Sequence, residues 1–269
     1  MLFDWVHALV FTSYEGAHMQ LPMAPEPEAH SPFAPLQQRW MNELFKGPLL
    51  PERLSTCNDC VKLQKPGKPP DPEAYNPDTK CCTYLPMLHN FLVGAMLDDD
   101  SPDFATGKVT VQARIDRGEA VTPLGLYATE EYLSRYDAGA RFGRDLSLRC
   151  PHYLHLEGGK CGVWRHREST CSTWFCKYER GDLGRDFWRR GVAPMLREAE
   201  LAVARHCAFE LGADEVELGK WEGDVRGLYR ASTKLVNELA WPEVEKIGGQ
   251  EVKRLARETR EQLLRIKTL

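Results

Sequence analysis

The chain reads as a mostly α-helical fold with little β structure, an irregular cysteine-rich core and an α-helical C-terminal region. Three observations predict this. Apolar residues recur near every 3.6 positions through residues 186–211 and again after Gly248-Gly249. Eight of the nine cysteines fall between residues 51 and 183, in sequence broken by turns. Five prolines each crowd the stretches 21–36 and 64–79, which excludes regular elements there. The expected organisation is an N-terminal arm with a short helix (1–50), a cysteine-rich domain (51–183) and a helical region (184–269).

Each element has its own reason. Residues 21–36, "LPMAPEPEAHSPFAPL", form an extended arm. Leu36, Trp40, Leu44 and Phe45 share a helical face, so a short helix is expected over 36–46. The proline-rich stretch 64–79 is an insertion loop between two cysteine pairs. Residues 84–97 are apolar enough for a buried helix with Pro86 in its first turn. Val109, Val111, Ala113 and Ile115 alternate with polar residues, the period of a half-buried strand. Thr129 opens a short helix over 129–136. Gly158-Gly159 marks a hairpin tip. Trp188, Val192, Met195, Leu196, Ala199, Val203, Cys207 and Leu211 line one face of a long helix ending at Gly212. Another helix is expected from Val225 to Ala240, stopped by Pro242. The last places Val252, Leu255, Thr259, Leu263 and Ile266 together.

Composition limits what the chain can do. With 42% hydrophobic residues in 269 it can build a substantial core. The 35 basic and 39 acidic residues give a formal charge of −4, which argues against nucleic acid or an anionic membrane as partner. The basic residues between Lys160 and Arg190 read as a solvated face. The start, "MLFDWVHALVF", carries Asp4 and His7 and lacks the basic region and small-residue cleavage site of a secretory signal. No apolar run approaches the ~20 residues of a membrane span. A soluble cytoplasmic protein is expected, where an odd number of cysteines does not make a disulfide framework.

Thiolate ligation of metal then becomes the leading explanation for Cys57, Cys60, Cys81, Cys82, Cys150, Cys161, Cys171 and Cys176, with Cys207 apart on the long helix. A CxxC turn such as Cys57 to Cys60 lets two thiolates converge on one ion. Adjacent Cys81 and Cys82 would point to opposite sides of an extended chain, so each can serve a separate site or one can pack. Backbone this poor in periodic apolar residues gains its order from a bound metal. Eight thiolates suffice for two four-cysteine sites, or for one cluster with spare thiols. The bland alternative is a set of buried, reduced cysteines acting as small hydrophobes.

These motifs, CxxC, the CC doublet and "CPHYLHLEGGKCGVWRHRESTCSTWFC", resemble the YkgJ-type cysteine cluster proteins, also called the CxxCxxCC zinc- or iron-chelating family. The resemblance covers about residues 55–180. In that family the CxxC and CC lie close together, whereas here residues 61–80 separate them, and Arg167-Glu168-Ser169-Thr170 stands where the family has Arg-Pro before the next cysteine. The family includes flagellin lysine N-methylases, and the resemblance implies a metal centre. It points to one or two iron–sulfur clusters, [4Fe-4S] in type, serving redox or cluster-assisted modification chemistry. No GxGxxG loop and no CxxxCxxC motif accompanies the cysteines.

Four thiolates also suit zinc, giving the alternative of a non-catalytic, zinc-stabilised module that binds a protein partner through its helical tail. Cysteine reactivity itself is a third reading. Trp164, Trp174 and Phe175 can shield a cluster or simply fill the core. Arg165, Arg167 and Lys177 can offset its negative charge or lie exposed. His152, His155 and His166 are candidate auxiliary ligands or proton carriers, and more ordinarily surface or hydrogen-bonded histidines. Asp98-Asp99-Asp100 with Asp103 lacks the glycine and glutamate of a calcium loop and reads as a solvated helix end.

Overall fold

Pro35 begins α1 (Pro35–Phe45), where its missing N–H costs nothing and its fixed φ suits a helix. Gln37 Oε1 accepts from Ala34 N (3.1 Å), closing the first turn. Trp40, Met41 and Leu44 are buried along one face. This is a computed structural model, and it describes residues 32–47, 49, 52, 57, 60–139, 141–213 and 223–268. Most of the arm expected over 21–36, and all of residues 1–31, lie outside the described residues.

The proline-rich stretch 64–79 holds turns and no helix, and Tyr75 forms an isolated bridge with Leu63. The helix expected from residue 84 begins later. Leu88–His89 forms β1, and α2 runs over Asn90–Asp98. The cause is pairing: β1, β2 (Val121–Thr122) and β3 (Gly125–Leu126) make an antiparallel sheet in the order β1-β3-β2, which holds Leu88 and His89 extended. Asn90 Nδ2 then donates to the carbonyls of Pro123 (3.0 Å) and Ala204 (2.9 Å), fixing the start of α2 against its neighbours.

The strand expected over 109–115 is a helix, α3 (Ala105–Asp116). Its buried positions are Gly107, Val111, Arg114 and Ile115, a helical face, whereas Val109 is 61% exposed. Alternating β-branched residues imitated a strand, but only every second one meets the core. Gly107 matters here, because an added Cβ would fall on the Gly162 backbone. The short helix appears as α4 (Glu130–Asp137), with Thr129 Oγ1 accepting from Tyr132 N (3.2 Å) as an N-cap. Tyr153–Leu154 (β4) pairs with Lys160–Cys161 (β5) across Gly158-Gly159, whose φ values of 78° and 72° suit residues without a side chain.

After α5 (Ser169–Ser172) and α6 (Gly181–Asp186) comes one π-helical stretch, Phe187–Val192, leading into α7 (Ala193–Glu210). The long helix thus starts earlier than its periodicity announced and is interrupted once. The helix expected over 225–240 stops at Asn237 (α8, Val225–Asn237), and Pro242 lies in the first turn of α9 (Trp241–Ile247) rather than closing α8. α10 (Gly249–Lys267) buries Val252, Ala256, Thr259 and Leu263, with Leu255 and Ile266 packed beside them.

Among the described residues the fold is therefore mostly helical, with two small sheets of two-residue strands. One apolar cluster joins α1, α7, α9 and α10 to Phe91 and Phe175, and a second gathers α2, α3 and Tyr229 of α8. Aromatic rings tie the cysteine-rich segment into the first. Trp188 lies 5.4 Å from Phe33, 5.2 Å from Phe175 and 5.0 Å from Phe187 between ring centroids. Among the described residues no helix is long and apolar enough to cross a membrane.

Candidate metal centre

Short local structures carry the cysteines towards one another. Cys81 and Cys82 stand on a turn rather than an extended chain: Lys80 takes a left-handed φ of 50°, its N–H reaches Asn76 O (2.8 Å), and Cys82 N reaches Thr79 O (2.9 Å). A side-chain hydrogen bond links the Cys81 and Cys82 thiols. Cys150 N donates to Cys82 O (2.8 Å), which joins the doublet to the head of the β4–β5 hairpin. In that hairpin Cys161 pairs with Tyr153. Cys171 lies in α5, whose first N–H groups are capped by Glu168: its oxygens accept from Thr170 N (2.7 Å) and Cys171 N (2.8 Å). Lys80 Nζ donates to the carbonyl of Cys57, which brings the CxxC segment alongside.

The surroundings of the thiols oppose their ionisation. Burial pushes the Cys57 thiol up to about 12, reinforced by Cys81, Cys176 and Cys161. Burial raises Cys150 to about 12 as well, with Cys161 adding to it. Cys171 is raised by burial, then by Glu168, Cys161 and Cys150. Cys161 is raised by burial. The hydrogen bond from Cys82 lowers Cys81 and raises Cys82 in turn. Cys60, Cys81 and Cys176 all act on the Tyr75 hydroxyl. Cys207 stands apart, buried on α7 with its Sγ 3.8 Å from Ser232 O.

The thiols are gathered but not closed on one point. Among the described residues no group of three Cys, His, Asp or Glu side chains is placed to hold a metal ion. The donor chemistry nonetheless fits a thiolate-bound group. Burial is the main cause that raises Cys57, Cys150, Cys161 and Cys171, with neighbouring thiols adding to it, and a bound metal ion would favour the ionised form.

The other side chains fall into place around this group. His152 is fully buried between Thr110 Oγ1 (2.8 Å from Nδ1) and Arg114, and burial holds it neutral down to about 3. His166 Nε2 lies 2.7 Å from Asp99. His155 is exposed. Asp98 pairs with Arg230 (2.7 Å) and Asp100 with Lys108 (3.0 Å), so the three aspartates serve three separate partners. Phe175 is a core residue, Trp164 lies under the Arg167 guanidinium (3.5 Å), and Trp174 lies beneath Arg189 (4.4 Å). Of the three cations singled out beside the cysteines, Arg165 and Lys177 are exposed and Arg167 is buried.

Four residues escaped the sequence reading. Lys80 and Glu168 flank cysteines, and "ESTC" is a capping pattern that was legible. Glu200 sits fully buried on the apolar stripe of α7, where an acidic residue was itself a signal. Its Oε1 accepts from Gln37 Nε2 (2.5 Å) and its Oε2 from Ser169 N (3.0 Å), linking α1, α5 and α7. Burial and the neighbouring Glu168 push it up to about 8. His89, also buried, packs beside it at 3.9 Å, its Nδ1 without a partner among the described residues.

A cleft of about 420 Å³, lined by Thr106, Thr110, Arg149, Tyr153 and His155, reaches Cys150. A larger groove of about 830 Å³ between α7 and the α9–α10 junction contains no cysteine and is remote in chemistry from the thiols. No family model, no curated protein and no solved structure matches this chain.

Proposed function

We propose that this chain is an iron–sulfur protein in which Cys57, Cys60, Cys81, Cys82, Cys150, Cys161, Cys171 and Cys176 supply the ligands, acting in redox or cluster-assisted modification chemistry. One observation supports it most: hydrogen bonds join cysteine-bearing segments far apart in sequence, Cys150 N to Cys82 O (2.8 Å) and Lys80 Nζ to Cys57 O, while the ninth cysteine lies elsewhere, on α7 beside Ser232. A thiolate-held cluster supplies one-electron transfer when bound. The protein's share is to fix the thiols by backbone hydrogen bonds, to surround them with Tyr75, Tyr153 and Trp164, and to leave the cleft beside Cys150 as the approach. The resemblance to the YkgJ-type family favours the same assignment. All nine cysteines are free, in keeping with a reducing compartment such as the cytoplasm.

Zinc is the second reading, favoured by the same thiol set, and would make the chain a structural module. A partner bound through the tail would have to use surface outside the stripe that α10 has already buried, such as exposed Leu264. Oxygen-free purification of the full chain with iron, sulfide and zinc analysis separates the cases. A brown protein with stoichiometric iron and sulfide is expected. Zinc alone would favour the second reading, and a folded protein with neither metal would overturn both.

A further inference from the structure

The groove between α7 and the α9–α10 junction has a chemistry of its own. Its volume of about 830 Å³ falls within the roughly 300–1,000 Å³ typical of small-molecule sites. Val252 is buried in its lining, Leu124, Leu201, Ala202 and Ile247 are half-buried, and Phe209 is 67% exposed. α7 therefore carries two apolar faces. Met195, Ala199, Val203 and Cys207 are enclosed in the core, whereas Leu201, Ala202 and Phe209 keep contact with solvent in the groove. An apolar ligand gains by displacing water from such a surface.

The charged residues of the groove differ in what holds them. Glu251 gives its two oxygens to Arg254 (2.5 and 3.0 Å), Glu198 lies 4.0 Å from Arg197, and His206 lies 3.9 Å from Glu210. Arg205 stands among them, exposed, and among the described residues it makes no hydrogen bond and no ion pair. It acts on the Tyr127 hydroxyl through space, but burial holds that phenol above its usual range and hence neutral at pH 7. Both acidic residues of the lining thus have a cation beside them, and the unmatched charge is positive.

Apolar walls with one free guanidinium complement a ligand built the same way: a hydrocarbon body and a single carboxylate, which arginine takes through two parallel N–H bonds. A multiply charged anion would find no second free cation there and would meet Glu198 and Glu251. From Glu198 to Phe209 the groove follows α7 for about 16 Å at 1.5 Å per residue. A partner helix, about 10–12 Å across with its side chains, would over that length exceed the volume available.

We propose that this groove binds one free amphiphilic carboxylate of medium chain length, its hydrocarbon against Leu201, Ala202 and Ile247 and its carboxylate on Arg205. The lining contains no cysteine, so the site stands whether or not the thiols hold a metal.

The test is calorimetric titration of the full chain at pH 7 with octanoate and with octanol, its uncharged counterpart, comparing wild type with Arg205→Gln and Ala202→Trp. Octanoate is expected to saturate at one per chain and to bind Arg205→Gln roughly tenfold less tightly, the worth of one charge-assisted contact. Octanol is expected to bind those two proteins alike. Ala202→Trp fills the groove from a half-exposed position and is expected to bind neither; if it does not fold by circular dichroism, Arg205→Gln, changed at an exposed side chain, decides alone. Wild type without saturable octanoate binding would overturn the proposal, and so would equal affinity of wild type and Arg205→Gln for octanoate. A wild-type dimer that binds no octanoate and is dissociated by Phe209→Ser would assign the groove to a second copy of the chain and overturn it too.

Discussion

Replacing Gly107 by alanine probes how α3 meets the cysteine segment. Gly107 lies in the first turn of α3 against the backbone of Gly162, the residue after Cys161. A methyl at 107 would fall on the Gly162 carbonyl, and one at 162 would stand 2.9 Å from Gly107 Cα, where ordinary contact begins at 3.4 Å. The obstacle is main chain on both sides, so no side chain can swing away. With the added Cβ 1.8 Å from the Gly162 oxygen, α3 would have to retreat by roughly 1.2–1.6 Å, which forfeits more than about half of each dispersion contact across the gap. Val111 and Ile115, packed in the same cluster as Val163, would bear that loss. Overpacking of this kind costs about 2–4 kcal/mol. Alanine in place of glycine returns about 1 kcal/mol of helix propensity. The net expectation is a loss of about 1–3 kcal/mol, read from urea denaturation, with lower metal content because Cys161 moves with Gly162. Gly139→Ala, where nothing lies within 4 Å of the added methyl, is the control and should stay within about 0.5 kcal/mol of wild type. A Gly107→Ala protein as stable as wild type would refute the close approach.

Cys81→Ser and Cys82→Ser should each lower bound metal, whereas Cys207→Ala should leave it unchanged; full occupancy in both doublet variants would remove the pair from the ligand set. Trp188→Ala, opening the junction of Phe33, Phe175 and Phe187, should cost about 3–5 kcal/mol in the same denaturation assay. Glu200 is raised from 4.5 to about 8, so between those values the unfolded chain ionises and binds fewer protons than the fold. Stability should therefore fall by a few kcal/mol as pH rises from 4.5 to 8, and Glu200→Gln should flatten that slope. His152, lowered from 6.5 to about 3, acts in the opposite window: stability should fall as pH drops from 6.5 towards 3, and His152→Asn should lessen the fall.

Long amphipathic helices were legible because their faces persist. Val252, Thr259 and Leu263 of α10 are buried as their spacing demands. Short elements were not. The four residues Val109, Val111, Ala113 and Ile115 satisfy a strand by count, and only tertiary packing, which leaves Val109 in solvent, makes them helical. Likewise nothing local says that Leu88 and His89 will be claimed by Leu126 and Gly125. The number and crowding of the cysteines raised the metal reading, and the place of Cys207 on a helix set it apart. The turn at the doublet was not legible, because the left-handed φ of Lys80 belongs to an ordinary lysine in sequence. Lys80 stayed hidden for the same reason, since a cation beside cysteines looks solvated until the fold encloses it; Arg167 was singled out in the sequence, and only its burial is new.

The π-helical stretch Phe187–Val192 has a bearing on insertions and deletions. Its wider turn resets the rotational phase between α6 and α7. Excising one residue from the wide turn would restore uniform pitch and rotate everything upstream by about 100° about the axis. The tract bearing Cys171 and Cys176 enters from that side, so the spacing between Cys176 and the helical wall tolerates substitution far better than a change of length.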